Sequence, residues 1–172
     1  MDSEDYLDWQ DSAAKHYGCF RTLLFLGYTK QAMQLLCLSV EKFLKLYVSL
    51  KYKLNEEQIK TKYGHGLKKL FADTLLDKTE YNFIHQTCEK FEYNSLRYDF
   101  EGIGNGANFV LPEIETEIKK LSRETILLFN NKYKARVIVD RWPNIRQDRK
   151  YKKYFLERAL RGKNTSLSMD FT

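Results

Sequence analysis

The sequence predicts an all-α protein, built as an antiparallel bundle of about five helices with a basic, helical C-terminal extension. Apolar residues recur every three to four positions through most of the first 131 residues, which is the spacing of one face of an α-helix. The alternation typical of β-strands appears only weakly, in residues 135–140. With 43% hydrophobic and 15% aromatic residues, the 172-residue chain can form the core of one bundle.

The first two helices are predicted to form a hairpin. Helix one covers residues 6–26, and Gly27 is the expected C-terminal stop. A stronger apolar stripe predicts helix two over residues 29–53. The connection at Gly27 and Tyr28 is short, so the two helices should run antiparallel. The predicted apolar side of helix one consists of Leu7, Ala14, Tyr17, Phe20 and Leu24.

Shorter helices are predicted to follow this hairpin. Asn55 with Gln58 three residues later is a capping-box pattern, which opens a short helix. The loop of residues 64–66, Gly-His-Gly, interrupts the helical pattern, which then resumes over residues 67–76. Thr79 is the predicted N-cap of the next helix.

A long helix closes the predicted bundle. The glycine-rich residues 94–111 are predicted to form an irregular loop. Pro112 suits the first position of a helix, so helix five is predicted over residues 112–130. The residues expected in the core are Leu36, Phe43, Tyr47, Leu70 and Ile118.

The net charge of +6 is distributed unevenly along the chain. Residues 132–163 hold 12 basic and 3 acidic residues, a net charge of +9, whereas residues 1–131 carry a net charge of −2. We therefore divide the chain into a bundle, residues 1–131, and an extension, residues 132–172. Aromatic residues interleaved with basic ones favour binding of single-stranded nucleic acid, and packing of the aromatic side onto the bundle is the alternative. The predicted nucleic-acid-binding residues are Arg141, Arg146, Arg149, Lys150, Lys152 and Lys153.

Several kinds of site and location are excluded by the sequence. No run approaches the roughly 18 apolar residues of a membrane span, and the acidic N-terminus is unlike a secretory signal. We therefore expect a soluble, cytoplasmic protein. Cys19, Cys37 and Cys88 are too far apart for a zinc site or a redox dithiol and are expected to be buried free thiols. The sequence predicts neither a metal site nor a cofactor.

Three patches of the sequence carry a resemblance when they are taken together. Residues 34–47 read QLLCLSVEKFLKLY, residues 64–67 read GHGL, and residues 96–99 read LRYD. In this order and spacing they resemble the HEPN family, the higher eukaryote and prokaryote nucleotide-binding domains, over roughly residues 10–130. The resemblance implies a helical bundle that often dimerises and often accompanies a nucleotidyltransferase or a toxin partner.

The same resemblance implies a set of ligand-binding residues, each of which also has a structural alternative. The side of helix two that carries the charged residues is otherwise expected to face solvent. His65 is otherwise a helix-entry residue whose ring bonds a backbone group, and Arg97 otherwise forms an ion pair. The implied residues are Glu41, Lys42, Lys45, His65, Arg97, Tyr98 and Asp99.

Catalysis is not expected from this chain. Catalytic members of the family resemble metal-independent ribonucleases with an Arg, four to six intervening residues and then a His. After Arg97 the corresponding positions are Gly102, Ile103 and Gly104, and none of these titrates near neutral pH. We therefore predict no catalytic residue and a binding module for a nucleotide, a nucleic acid or a partner protein such as a nucleotidyltransferase, as in a toxin–antitoxin pair. A toxin-like ribonuclease with a displaced active site is the alternative.

Overall fold

The computed structural model describes residues 3–90 and 111–133, which fold into six α-helices and contain no strand. The all-α prediction is confirmed for this part of the chain. Most of the predicted glycine-rich loop and nearly all of the C-terminal extension lie outside the described residues. None of the described helices combines the length and the hydrophobicity that a membrane span requires. In chain order the helices are α1 (Ser3–Phe25), α2 (Thr29–Tyr52), α3 (Glu56–Tyr63), α4 (Leu67–Thr74), α5 (Asn82–Lys90) and α6 (Leu111–Tyr133).

The α1–α2 hairpin has the predicted connection, and the buried side of α1 differs from the prediction only toward its N-terminal end. Gly27 adopts a φ of +80°, a conformation that glycine reaches at little cost, and it ends α1 as expected. Leu7 is 41% exposed, contrary to the prediction. At the N-terminal end of α1 the fully buried positions, Tyr6 and Ala13, each lie one residue before the predicted ones. Tyr17 and Phe20 are fully buried, as predicted.

The second helix, α2, lies at the centre of the bundle and packs against α1, α4 and α6. Tyr47 is only partly buried, because its ring lies at the edge of the core with the Lys51 ammonium 5.5 Å from its centroid. The other four predicted core residues are fully buried, which confirms them. They are Leu36, Phe43, Leu70 and Ile118.

The capping box predicted at the start of α3 is present. The Gln58 backbone N–H donates to Asn55 Oδ1 at 2.8 Å, and the Asn55 N–H donates to Gln58 Oε1 at 2.9 Å. Helix α3 then ends at Tyr63, and the loop of residues 64–66 leads directly into α4. This local signal could be identified from the sequence because both partners lie within four residues of each other.

Thr79 is not the N-cap of α5, which begins at Asn82. The Asp77 carboxylate instead accepts the backbone N–H groups of Thr79 at 2.8 Å and Glu80 at 2.9 Å, and this stabilises a turn before the helix. The Thr79 hydroxyl donates to the same Asp77 carboxylate, so Thr79 belongs to this turn and does not cap the helix.

The first turn of α5 is capped by a residue of another helix. Glu117 of α6 accepts the N–H of Phe83 at 3.0 Å through Oε1 and the N–H of Ile84 at 2.9 Å through Oε2. Burial raises the pKa of Glu117, although these backbone hydrogen bonds act in the opposite direction. One carboxylate thus joins α5 to α6.

Replacing Glu117 with alanine should lower the free energy of unfolding by about 2 kcal/mol, because two helix N–H groups lose a charged acceptor. Urea denaturation measures the loss. Glu113→Ala is the matched control, since Glu113 is an exposed glutamate on the same helix. Equal losses in the two variants would contradict a capping role for Glu117.

Two of the three cysteines are buried free thiols, as predicted. Cys37 lies on α2 and Cys88 on α5. Burial raises the pKa of Cys37 to about 12 and also raises that of Cys88, so both thiols stay protonated at neutral pH. The prediction is wrong for Cys19, which is exposed because it lies on the outer side of α1.

Candidate functional site

The charged residues of α2 singled out by the resemblance do not form a solvent-exposed face. Glu41 is 5% exposed and Lys45 is 6% exposed, while Lys42 is half-buried. The solvent-exposed alternative is therefore wrong for Glu41 and Lys45. These two side chains are covered because the loop of residues 64–66 crosses this side of α2.

Glu41 contacts Lys45, which is buried like Glu41 itself, and the more exposed His65, and we call these three residues the buried charge cluster. Lys45 Nζ donates to Glu41 Oε1 at 2.6 Å and to the Gly64 carbonyl oxygen at 2.5 Å. His65 Nδ1 lies 3.1 Å from each of the two Glu41 carboxylate oxygens. A single carboxylate therefore holds a lysine of its own helix and a histidine of the loop.

The loop reaches α2 because of its glycine backbone. Gly64 has a φ of +53°, in the region that L side chains avoid, and its N–H donates to the Lys60 carbonyl at 2.9 Å. This conformation ends α3 and presents the Gly64 carbonyl to Lys45. Glycine at this position is thus required by the geometry of the cluster.

The Glu41 carboxylate orients His65 through its Nδ1. Because an ionised carboxylate only accepts hydrogen bonds, Nδ1 carries the proton in this contact. The side chain is 56% exposed, in contrast to its partner Glu41 at 6%. A buried carboxylate that fixes an exposed imidazole is the arrangement that orients histidine for proton transfer in many enzymes.

A second polar group adjoins this cluster at the α1–α2 interface. Lys42 donates a hydrogen bond to Ser12 Oγ of α1, and His16 follows Ser12 by one helical turn. Burial lowers the pKa of Lys42, which Lys45 lowers further, whereas Glu41 acts in the opposite direction. We call Ser12, His16 and Lys42 the α1–α2 polar group.

His16 is the least satisfied member of the α1–α2 polar group. Burial lowers its pKa, and the positive charge of Lys42 lowers it further. Its Nδ1 is buried and has no hydrogen-bond partner in the described part of the chain. Sequence reasoning gave His16 little weight and missed Ser12, because their contact with Lys42 joins residues 30 positions apart. The only signal in the sequence was the spacing of Ser12 and His16, which places them on one side of a helix.

Together the two groups bring Lys45 and His65 into contact with the Glu41 carboxylate and place Lys42 between that carboxylate and the residues of α1. Glu41 is engaged by Lys45 and His65, and Lys42 bonds a neutral hydroxyl and makes no ion pair within residues 3–90 and 111–133. The arrangement can therefore attract an anion, and the Glu41–His65 contact can position a proton. No group of three potential metal ligands occurs in the same described ranges.

The remaining predicted site residues lie outside the described part of the chain. The ligand-binding residues among them are Arg97, Tyr98 and Asp99. The nucleic-acid-binding residues are Arg141, Arg146, Arg149, Lys150, Lys152 and Lys153. Their roles, and the proposed division of the chain at residue 131, stay predictions.

The resemblance to the HEPN family rests on the three sequence patches described above. No protein-family model matches the chain, and neither a curated protein nor a solved structure is similar to it.

Proposed function

We propose that this chain is a non-catalytic HEPN-like module that binds a nucleotide, a nucleic acid or a partner protein such as a nucleotidyltransferase. The observation that carries the proposal is the excess of positive charge at residues 41–45 of α2. Lys42 and Lys45 follow Glu41 on α2 by one and four residues, and the Glu41 carboxylate is already shared by Lys45 and His65. Phosphate groups are the anions that lysines in nucleotide-binding proteins most often hold.

A structural role for the buried charge cluster supports the non-catalytic part of the proposal. Glu41 directs both oxygens at His65 and one of them also at Lys45, so the carboxylate ties the loop to α2. A cleavage reaction needs a second titrating group for the leaving oxygen. The chain has no histidine at the family's spacing after Arg97 to supply that group.

A metal-independent ribonuclease is the second candidate, and one specific contact favours it. Glu41 fixes the Nδ1 side of His65 while much of the imidazole ring is exposed. An imidazole held in this way can act as the general base or acid in RNA cleavage. In this candidate function His65 is catalytic and Glu41 is a positioning residue.

Incubation of the purified full-length protein with mixed RNA separates the two functions. We expect a labelled oligonucleotide to bind, as measured by fluorescence anisotropy, and to remain uncut. The test variant is His65→Ala, and His85→Ala is its matched control because His85 is a partly exposed histidine of α5. Cleavage by the wild type and the His85 variant that disappears in His65→Ala would establish the ribonuclease instead.

If neither RNA nor nucleotides bind, the ligand of this module is instead a partner protein. The resemblance favours a nucleotidyltransferase, as in a toxin–antitoxin pair, and a homodimer of the chain. Light scattering of the purified protein, alone and mixed with such a partner, measures both associations.

A further inference from the structure

The α1–α2 polar group has the composition of an anion-binding site. Lys42 is half-buried, and its hydrogen-bond partner is the Ser12 hydroxyl and not a carboxylate. Partial burial of a lysine is costly unless an opposite charge compensates it. The nearest carboxylate, Glu41, is already shared by Lys45 and His65. Glu41 attracts Lys42 without bonding it, so an incoming anion would add a direct ionic contact that Lys42 does not have in the described part of the chain.

His16 supplies the second observation at this place. Its Nδ1 is buried and makes no hydrogen bond within the described part of the chain. A buried polar atom without a partner costs roughly 1–3 kcal/mol, and a rotation of the ring that brought Nδ1 to a ligand oxygen would recover this free energy. His16 lies one turn from Ser12 on α1, so both side chains border Lys42.

From these observations we propose that Ser12, His16 and Lys42 form a binding site for a phosphate group, either a phosphate monoester or a terminal phosphate. Lys42 supplies the positive charge, and Ser12 and His16 supply hydrogen-bond donors to two further oxygens. The inference rests on the proposed function, to which it adds the chemical class of the ligand and two residues of α1. Phosphate is favoured over a carboxylate because three donors from two helices match its tetrahedral oxygens.

Binding at this site should be coupled to a proton. Lys42 keeps the pKa of His16 low in the free protein, and a bound anion would offset that repulsion. The pKa of His16 should therefore rise when phosphate binds. By linkage, protonation of His16 should tighten the binding of phosphate as the pH falls, whereas protonation of the phosphate dianion itself, at about pH 6 for a monoester, acts in the opposite direction.

The test is an NMR titration of the imidazole resonances of the full-length protein with inorganic phosphate, with adenosine 5′-monophosphate and with adenosine. The chain has three histidines, and a His16→Gln variant assigns the signal. We expect phosphate and the monophosphate to shift the His16 resonance and raise its pKa, and adenosine to leave both unchanged. Lys42→Gln should weaken binding of the monophosphate by about tenfold or more.

Lys60→Gln is the matched control, because Lys60 is an exposed lysine paired with Glu56 on α3. It should bind the monophosphate as the wild type does. Phosphate that leaves the His16 resonance unmoved, or a Lys42→Gln variant that binds as tightly as the wild type, would overturn the site. RNA binding that persists in that case would leave the proposed function intact, so the two failures are distinguishable.

Discussion

Replacement of Glu41 by glutamine is expected to lower the free energy of unfolding by about 3–5 kcal/mol. The variant leaves the Lys45 ammonium 7% exposed and without a negative partner, and it removes the acceptor that holds His65. Most of this cost is the desolvation of the Lys45 charge once it is unpaired. The low dielectric of the interior raises this desolvation penalty, and it also raises the Coulomb attraction between Glu41 and Lys45 that is lost. Urea denaturation followed by circular dichroism measures the change.

The chain offers an unusually close control for this prediction. Glu56 and Lys60 of α3 form an ion pair with the same spacing of four residues and the same 2.6 Å separation, but their side chains are 39% and 65% exposed. Glu56→Gln should cost less than about 1 kcal/mol, because water screens an exposed pair. A similar loss in both glutamine variants would contradict the burial of the Glu41 cluster.

The double variant Glu41→Gln with Lys45→Met distinguishes the loss of the Glu41–Lys45 attraction from the cost of leaving the buried Lys45 charge unpaired. If the unpaired ammonium causes most of the loss, the double variant should recover much of the stability that Glu41→Gln loses. Additive losses would mean instead that each side chain stabilises the fold by separate contacts.

Local signals accounted for the parts of the fold that the sequence predicted. The α1–α2 hairpin followed from the connection at Gly27, and the start of α3 followed from Asn55 and Gln58, which lie three residues apart. In each case the groups that form the structure are neighbours in the chain. Prediction therefore required no knowledge of how the helices pack.

Features that depend on helix rotation or on distant contacts were missed. At the N-terminal end of α1 the buried residue is Tyr6 and not the predicted Leu7, because both are large and apolar and only packing chooses between them. The cap of α5 comes from Glu117, more than 30 residues away in the sequence. No pattern within α5 itself indicates that acceptor.

The candidate site shows the same division between local and distant information. The resemblance identified Glu41, Lys45 and His65, but charged residues are so rarely buried that a solvent-exposed face was the natural alternative. Glu41 and Lys45 can be buried because each one has a partner, and the Gly64 carbonyl adds a hydrogen bond to Lys45. Whether such partners meet depends on where the loop crosses α2, which the sequence alone does not specify.

Removal of the C-terminal extension is expected to weaken binding of single-stranded RNA by a hundredfold or more. Residues 132–163 carry a net charge of +9, whereas residues 1–131 carry −2, so most of the attraction to a phosphate backbone should come from the extension. The truncation should end at residue 133, because the Tyr133 ring packs 4.7 Å from that of Phe129 and belongs to α6. Fluorescence anisotropy of a labelled oligonucleotide measures the affinity.

A full-length variant with neutralised charges controls for any effect of the truncation on the fold. In it the six predicted nucleic-acid-binding residues become glutamine, which keeps their size and removes their charge. The logarithm of the affinity falls with the logarithm of the salt concentration by about 0.7 for each phosphate neutralised on a single strand. If all six side chains contact phosphates, the slope should therefore become shallower by roughly four units in this variant. The residues are Arg141, Arg146, Arg149, Lys150, Lys152 and Lys153.

The proposed phosphate site at Ser12, His16 and Lys42 and the C-terminal extension should respond differently to these changes. A nucleoside monophosphate held by Ser12, His16 and Lys42 needs only one phosphate contact, so its affinity should survive the loss of the extension. Long RNA should lose its affinity, because its binding depends on many phosphates and the counterions they release. If the truncated chain binds RNA as tightly as the whole chain, the nucleic-acid site lies instead near Arg97, Lys42 and Lys45. A flat salt response of the full-length protein would exclude the extension as an electrostatic site.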